Sequence, residues 1–427
     1  MTQVLRDKQI VLGITDGIAA YKAADVASRL VKAGATVDVI MTEAATKFVT
    51  PLTFQALTHR PVVTEMFALL REMEIGHVAL ARRADLLIIA PATANTIAKL
   101  AAGLADNILT ATALDTRAPI LLAPSMETGM WENPMTQDNV ARLQKRCPEP
   151  CPEQSRRVAE GTRDVTVVGP GVGRLASGGR GPGRMAEPAE IIDWARIILG
   201  RGGSLAKQRV VVTTGGTQEP IDPVRFIGNH SSGKMGYALA LAARDRGAKV
   251  TLVSAPTALP APIGVQLVAV QTAQEMLQAV LAALLESDAL IMAAAVADYR
   301  PAAAAAHKLK KGEAGLDLKL IRTPDILAEV ATRRAELGQP RVVVGFAAET
   351  QDLVANAQAK LKAKRLDLMV ANDARQAMGA DVNQVTLLNA SGGVEELPLL
   401  PKDEVAEQVM DRVVELLRGG NDEQAMA

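Results

Sequence analysis

The stretch GNHSSGKM, Gly228 to Met235, gathers an amide, two hydroxyls and a lysine within eight residues. Its G-x4-G-K spacing is that of a phosphate-binding P-loop, yet Met235 stands where such a loop carries the Ser or Thr that holds magnesium. No strongly apolar strand runs directly into it either. A helix beginning near Ser232 still offers unpaired backbone N–H groups and a positive dipole end to an anion, with the Asn229 amide beside it. The plainer alternative is an N-cap by Ser231 or Ser232 with nothing bound, although the glycine turn TTGGT (213–217) points to a site. Asp298, in AAAVADYRP, ends a strand and can hold a metal ion that bridges phosphates, or belong to a solvated turn. Lys308, Lys310 and Lys311 crowd one loop, and Lys360 and Lys364 sit one helical turn apart. Such lysines form a solvated face, or they neutralise phosphate during phosphoryl or nucleotidyl transfer. His77, in EIGHVAL, precedes another strand and reads as structural or catalytic. GRLASGGRGPGRM (173–185), rich in glycine around Ser177, reads as a flexible connection or as a lid.

The elements that must carry these residues recur twice. IVLGI (10–14), TVDVIM (36–41), LLIIAP (86–91), PILLAP (119–124) and VTVVGP (165–170) alternate with segments of helical period. TDGIAAYK turns from the first of these into a helix reaching Lys32, which Gly34 ends. RVVVTT, KVTLVS, DALIMAAA, RVVVGFAA and LDLMVAN repeat the pattern further on, with SGKMGYALALAARDRG (232–247) as a helix. Continuous Val/Ile/Leu runs between helices predict parallel sheets covered on both faces. The fold class expected is therefore α/β, with two doubly wound, Rossmann-like domains, 1–203 and 204–427, divided within WARIILGRGGSLAKQR. Such sheets bind ligands beyond the carboxyl ends of their strands, where TDG, TEAATKF, ATANT and SMETG lie. HKLKKGEAGLDLKLI (307–321) alternates around GEAG and predicts a hairpin flap.

The bulk numbers narrow the class. Charged residues are 22% and hydrophobic ones 48% of the 427, a globular composition. Lys+Arg and Asp+Glu are 47 each, which gives no reason to expect a nucleic-acid or membrane partner. No apolar run is long enough to span a bilayer. MTQVLRDKQIVLG lacks a hydrophobic signal core, so a cytoplasmic location is expected. The two cysteines, Cys147 and Cys151, form neither a disulfide framework nor a zinc site.

TDGIAAYK, MTEAATKF, IGHVAL, APATANTIAKLAAGLADN and PSMETGMWENP follow in order and resemble the motifs of flavin-dependent cysteine decarboxylases. DPVRFIGNHSSGKMG, AAAVADYRP, HKLKK, TPDIL, VGFAAET and AKLKAKRLD resemble those of phosphopantothenate–cysteine ligases. In this order they resemble the bacterial bifunctional family of coenzyme A biosynthesis, over nearly the whole chain. The resemblance implies that the second domain activates 4′-phosphopantothenate with CTP and magnesium as an acyl cytidylate, from which the amine of cysteine displaces CMP. Asn229 then matches the residue assisting acyl-cytidylate formation, and Lys308 the flap lysine tied to CTP and to turnover of the intermediate. Arg225 matches a substrate contact. Met292, Ala293, Ala294, Asp298, Thr323, Pro324, Asp325, Ile326, Phe346, Lys360 and Lys364 match nucleotide contacts, with Asp298 also at the metal. Thr323 stands where the family often has Asn.

For the first domain the resemblance implies FMN, contacted by Gly17, Ile18, Thr42, Phe48, Thr93, Ala94, Asn95, Thr96 and Ser125. His77 matches the family's histidine and Arg184 a substrate contact. Decarboxylation of the ligase product would give 4′-phosphopantetheine. The resemblance also implies self-assembly, with trimers through the flavin domains and dimers through the ligase domains, together compatible with a dodecamer. Two positions depart from the pattern. Glu127 replaces the usual Asn that binds the substrate carboxylate, and two carboxylates repel unless one is protonated or a cation intervenes. Ser177, in the lid stretch, replaces a proton-donating cysteine, and a hydroxyl is far less acidic than a thiol of pKa about 8.5.

These departures leave a choice between a bifunctional enzyme with an altered proton donor and a ligase carrying a silent flavin-binding scaffold. An NAD(P)-dependent oxidoreductase is a third reading, but neither half has GxGxxG between strand and helix with an acid about 20 residues on. CPEPCPEQSRRVAEGTRD, Cys147 to Asp164, reads as a loop insertion.

Overall fold

Every central apolar run becomes a strand with both faces covered. The computed structural model describes residues 3–66, 76–145, 164–310, 316–349, 351–373 and 379–425. The chain divides into two units, Gln3–Leu199 and Gly200–Ala427. In the first unit, β1 (Gln9–Ile14), β2 (Thr36–Met41), β3 (Val62–Val63), β4 (Leu86–Ala92), β5 (Ile120–Pro124) and β6 (Val165–Val167) form one parallel sheet. Its order, β3-β2-β1-β4-β5-β6, is that of the doubly wound nucleotide-binding sheets. Alternate residues of β1 serve opposite cores, as the two-residue period of a strand requires. Ile10, Leu12 and Ile14 join Val26, Leu30 and Ile191, whereas Val11 joins Leu80, Ile97 and Leu109. An antiparallel hairpin, β7 (Gly171–Arg174) and β8 (Arg180–Arg184), follows β6 and is separate from the sheet.

The second unit repeats the plan with additions. Its strands begin with β9 (Arg209–Thr214), the hairpin β10 (Gln218–Pro220) and β11 (Phe226–Gly228), β12 (Lys249–Ser254), β13 (Gln266–Ala269) and β14 (Ala289–Met292). A two-stranded ribbon, β15 (Tyr299–Pro301) with β16 (Leu320–Arg322), follows, then β17 (Val342–Glu349) and β18 (Leu368–Asp373). β19 (Val382–Asn383) pairs with Leu400–Pro401, and β20 (Val385–Asn389) and β21 (Val394–Glu396) complete the set. The main sheet runs β13-β12-β9-β14-β17-β18-β20-β21, parallel through β18 and antiparallel beyond it. The carboxy-terminal helix Lys402–Ala425 buries Val405, Val409 and Val413 in the core that Leu239 and Ala243 of helix Lys234–Asp245 share.

The α/β class and the doubly wound plan expected from the sequence are those observed. Some local expectations are corrected. The helix expected from TDGIAAYK starts as a 3-10 turn, Ile18–Tyr21, and becomes α-helical only at Lys22. Residues 307–310 and 316–319 form no strand, and β16 pairs with β15 instead of folding back on 307–310. The reason is local: Leu309 gives both its amide and its carbonyl to side chains of another hairpin. The tip of the expected flap, 311–315, and residues 147–163 of the expected insertion lie outside the described residues, as do both cysteines.

Candidate functional sites at the carboxyl edges of two sheets

In the first unit the carboxyl ends of β1, β2, β4 and β5 deliver their loops to one edge. Thr15, buried just after β1, donates from Oγ1 to Pro91 O at 2.8 Å, and the Thr93 N–H donates to Thr15 Oγ1 at 3.2 Å. Thr93 also caps helix Ala94–Ala102, accepting the Thr96 N–H and donating to Thr96 Oγ1 at 3.2 Å. The Ser125 N–H donates to Ala92 O at 3.0 Å and the Thr42 N–H to Ile14 O at 3.0 Å, which ties the loops after β5 and β2 to the same strands. Gly17 turns the chain with φ +123, and no atom lies within 4 Å of where a Cβ would stand. Ile18 and Phe48 are 62% and 52% exposed. Burial of such apolar surface is favourable, so a flat, partly apolar ligand would be welcome there. Ala94 and Asn95 open the helix, with Asn95 exposed.

The β7–β8 hairpin lies against the loop after β5. Thr128 Oγ1 donates to Pro182 O at 2.9 Å, and the Met126 N–H donates to Gly183 O at 3.0 Å. Gly183, at φ +154, comes so close that a Cβ there would stand 2.2 Å from Met126 O, so no other residue fits without a backbone shift. This contact brings the two departing residues together. Ser177 Oγ donates to Glu127 Oε2 at 2.9 Å, and the Gly179 N–H reaches Ser177 Oγ at 3.4 Å. Arg184 pairs with Glu187 at 3.3 Å; Lys22 pairs with the same carboxylate and holds it below the usual carboxylate range. His77 lies in the first turn of helix Gly76–Arg83, half-buried, with a buried Nδ1 that has no hydrogen-bond partner among the described residues.

In the second unit three loops are stitched at the corresponding edge. Gly216 bridges to Ala295, the Thr217 N–H donates to Ala295 O at 3.2 Å, and the Ala297 N–H donates to Thr217 Oγ1 at 2.9 Å. Asn229 Nδ2 donates to Val296 O at 2.9 Å, placing its amide two residues from Asp298. Thr323 then joins the same loop, its Oγ1 donating to Ala297 O at 2.6 Å and its N–H to Asp298 O at 3.0 Å. Asp325 caps helix Ile326–Leu337 through the Ala328 N–H and forms an ion pair with Lys364. Burial pushes the Asp325 carboxyl up, but Lys364 and the Ala328 amide outweigh it, so it titrates below its ordinary value. Lys360 Nζ meets Glu349 at 2.6 Å at the end of β17, the strand that carries the half-buried Phe346. Met292 ends β14, and the Ala294 N–H after it donates to Thr213 Oγ1 at 3.2 Å. Helix Lys234–Asp245 begins two residues later than expected. Its N-cap is Gly233 at φ 73 with no side-chain cap, so neither Ser231 nor Ser232 caps it; Ser231 Oγ instead accepts the Gly233 N–H at 3.3 Å. GNHSSGKM issues from a three-residue hairpin strand, not from a central one, which removes the P-loop context.

Sequence reasoning passed over three carboxylates and a hydroxyl: Asp222, Glu219, Glu349 and Thr15. Glu219, 2% exposed, accepts the Ala273 N–H at 2.8 Å and so fixes the start of helix Ala273–Leu284. Asp-Pro at 222–223 was a legible turn signal, but nothing in the sequence says what its carboxylate holds. Among the described residues no group of three His, Cys, Asp or Glu is placed to hold a metal ion, and no helix is long and apolar enough to cross a membrane.

An open cradle on one doubly wound sheet, followed by acids and lysines converging on a second, defines a two-domain α/β enzyme with separate ligand edges. Comparison with known proteins agrees. Residues 2–197 match the flavoprotein family and residues 205–417 the DNA/pantothenate metabolism flavoprotein C-terminal domain. The chain is 42% identical over 420 residues to the coenzyme A biosynthesis bifunctional protein CoaBC of Vibrio vulnificus, covering 97% of this chain and 99% of that one. The CoaBC proteins of Mycobacterium tuberculosis and Bacillus subtilis are 44% and 42% identical, over 96% and 97% of this chain and 97% and 98% of theirs. The crystal structure of the C-terminal domain of a CoaBC is 41% identical, covers 51% of this chain and 99% of that chain, and superposes with a TM-score of 0.44. The chain belongs to the family of bifunctional coenzyme A biosynthesis proteins, with a flavoprotein decarboxylase domain and a ligase domain. Both domains match, so the reading as a ligase with a silent scaffold finds no support, and family membership sets aside the NAD(P) reading.

Proposed function

We propose that the second unit joins cysteine to 4′-phosphopantothenate with CTP through an acyl cytidylate, and that the first, with FMN bound, decarboxylates the product to 4′-phosphopantetheine. The observation that carries this reading is the set of bonds linking Asn229, Asp298, Thr323, Asp325 and Lys364 at one sheet edge. In the ligase unit, Asn229 Nδ2 steadies the activated carboxyl, while Lys308, Lys360 and Lys364 neutralise phosphate charge. The last two leave Glu349 and Asp325 to do so. Met292 to Ala294, Pro324, Ile326 and Phe346 line the nucleotide, and Arg225 meets phosphopantothenate. Asp298 alone suffices for magnesium, since that ion takes one or two carboxylates and completes its shell with substrate phosphates and water.

The cradle at Gly17 fits FMN: it offers open space above a glycine, apolar Ile18 and Phe48, and polar groups at Thr42, Thr93 to Thr96 and Ser125. When bound, FMN supplies reversible two-electron oxidation of the carbon bearing the thiol. The residues of the chain do the rest. His77 and Arg184 bind and orient the substrate. Loss of carbon dioxide breaks a C–C bond and leaves its electron pair on carbon, so one proton must be delivered there. Glu127 passes a proton to Ser177 Oγ as the hydroxyl gives its own to that carbon, a relay that reverses the bond in which Ser177 donates and requires Glu127 to take up a proton from solvent first. The 2.9 Å separation of the two oxygens puts them within reach of proton transfer. The homo-oligomeric assembly and cytoplasmic setting expected from the sequence belong to the same proposal.

Full-length protein with FMN, CTP, magnesium, 4′-phosphopantothenate and carboxyl-labelled cysteine tests it. CMP and labelled carbon dioxide are expected in equal amounts. CMP without carbon dioxide would overturn the flavin half of the reading, and an equal rate with ATP would overturn the choice of nucleotide.

A further inference from the structure

Lys308 is exposed and belongs to no helix or strand, so something else must fix it. The residue on its carboxyl side is held twice. The Leu309 N–H donates to Asp222 Oδ2 at 3.1 Å, and the Arg225 guanidinium donates to Leu309 O. On the other side, the Ala305 N–H donates to Ile221 O at 2.9 Å. Lys308 thus rides on a five-residue span anchored at both ends to the turn between β10 and β11. Asp222 organises that turn as well. It is 3% exposed, its Oδ1 accepts the Val224 and Arg225 N–H groups at 2.8 and 2.9 Å, and its Oδ2 pairs with Arg225 Nη2 at 3.0 Å. β11 runs straight from this turn to Asn229, whose amide holds the loop ahead of Asp298.

We infer that Asp222 is a positioning residue of the ligase: its carboxylate locks the span carrying Lys308 to the hairpin carrying Arg225 and Asn229, so that lysine, guanidinium and amide move as one unit. The inference rests on the proposed role of Lys308. A buried carboxylate with this many donors is not needed to form a two-stranded turn; its second oxygen serves residue 309, more than eighty positions away. Burial alone would favour the neutral carboxyl, but the Val224, Leu309 and Arg225 amides and the Arg225 charge outweigh it, so Asp222 is anionic at working pH. The Arg225 charge also offsets that of Asp222, which would otherwise oppose an anionic nucleotide nearby.

Asp222→Asn separates the two jobs. The retained Oδ1 still accepts the turn amides, whereas an NH2 group facing both the Leu309 N–H and the Arg225 guanidinium sets donor against donor and releases the two together. Full-length protein is assayed for phosphopantothenoylcysteine formation as wild type, Asp222→Asn, Lys308→Gln and the double variant, with amide exchange followed across 305–310. The expected result is a drop in kcat of about tenfold or more for Asp222→Asn, with KM for CTP within about threefold. Exchange at Leu309 should be faster, and the double variant should lose less than the product of the two single losses, because residues acting through one another are non-additive. A native kcat, or a loss in the double variant equal to the product of the two single losses, would overturn the inference. If Lys308→Gln itself leaves ligation intact, the proposed role of Lys308 fails first, and that outcome is distinct.

Discussion

The two ligand edges share a sheet order and differ in how their polar residues are held. At the ligase edge, loops after β9, β11 and β14 are cross-linked by backbone and side-chain bonds, and each family motif is present with Thr323 the mild exception. At the flavin edge the scaffold is equally tied through Thr15 and Thr93, but the hairpin that lies over it carries an altered pair, Ser177 and Glu127, bonded to each other. A single replacement by Glu would place a carboxylate where the substrate carboxylate belongs. In the proposed relay the same carboxyl, 2.9 Å from a hydroxyl, serves as the proton source. A departure from a motif takes its meaning from its contacts: the two departing residues at the flavin edge touch each other.

Breaking the ligase edge gives the largest effect. Lys308→Gln is expected to slow ligation by about 100-fold or more, as loss of a charge-stabilising group does, and to leave decarboxylation of supplied phosphopantothenoylcysteine at the wild-type rate; separate assays of the two steps check this. The flavin edge is sharpened by reversal. Glu127→Asn alone should cut decarboxylation by roughly 10- to 100-fold through loss of a general acid, and adding Ser177→Cys should restore it, measured as 4′-phosphopantetheine formed. If Glu127→Asn alone is neutral, the two residues do not act as a pair. A smaller effect falls on scaffold alone: Thr93→Ala removes the cap of helix Ala94–Ala102 and should cost about 1 kcal/mol, seen as a lower unfolding midpoint of the flavin unit. The smallest concerns pH. Asp325 titrates below its ordinary value in the folded chain, so its stabilisation is complete above about pH 4, the unfolded value, and is lost only as pH falls through the lowered folded value. Amide protection at Ala328 should therefore stay constant from pH 8 to about 5 and weaken below 4.

Much of this fold was legible because central parallel strands are buried on both faces and so read as nearly continuous apolar runs; β1, β4 and β9 are cases. Edge elements were not. Val62–Val63 and Gln266–Ala269 are too short or too exposed to carry a period, and they exist because a neighbouring strand offers its backbone. The flap was misread because alternation in 307–321 says nothing about Asp222 taking the Leu309 amide. The candidate site residues could be named from the sequence because they follow strand ends, where sheet topology puts ligands. The contact between Ser177 and Glu127 could not, since fifty residues separate them and the docking of the β7–β8 hairpin on Met126 and Thr128 brings them together.

The most direct test of the central claim, that both edges are working sites and that the exchanged pair serves the flavin edge, is the product spectrum of the wild-type protein by mass spectrometry. It is incubated with 4′-phosphopantothenate, cysteine, CTP, magnesium and FMN. The account predicts 4′-phosphopantetheine as the accumulating product. Accumulation of phosphopantothenoylcysteine, with no 4′-phosphopantetheine after the ligase step is complete, would contradict it.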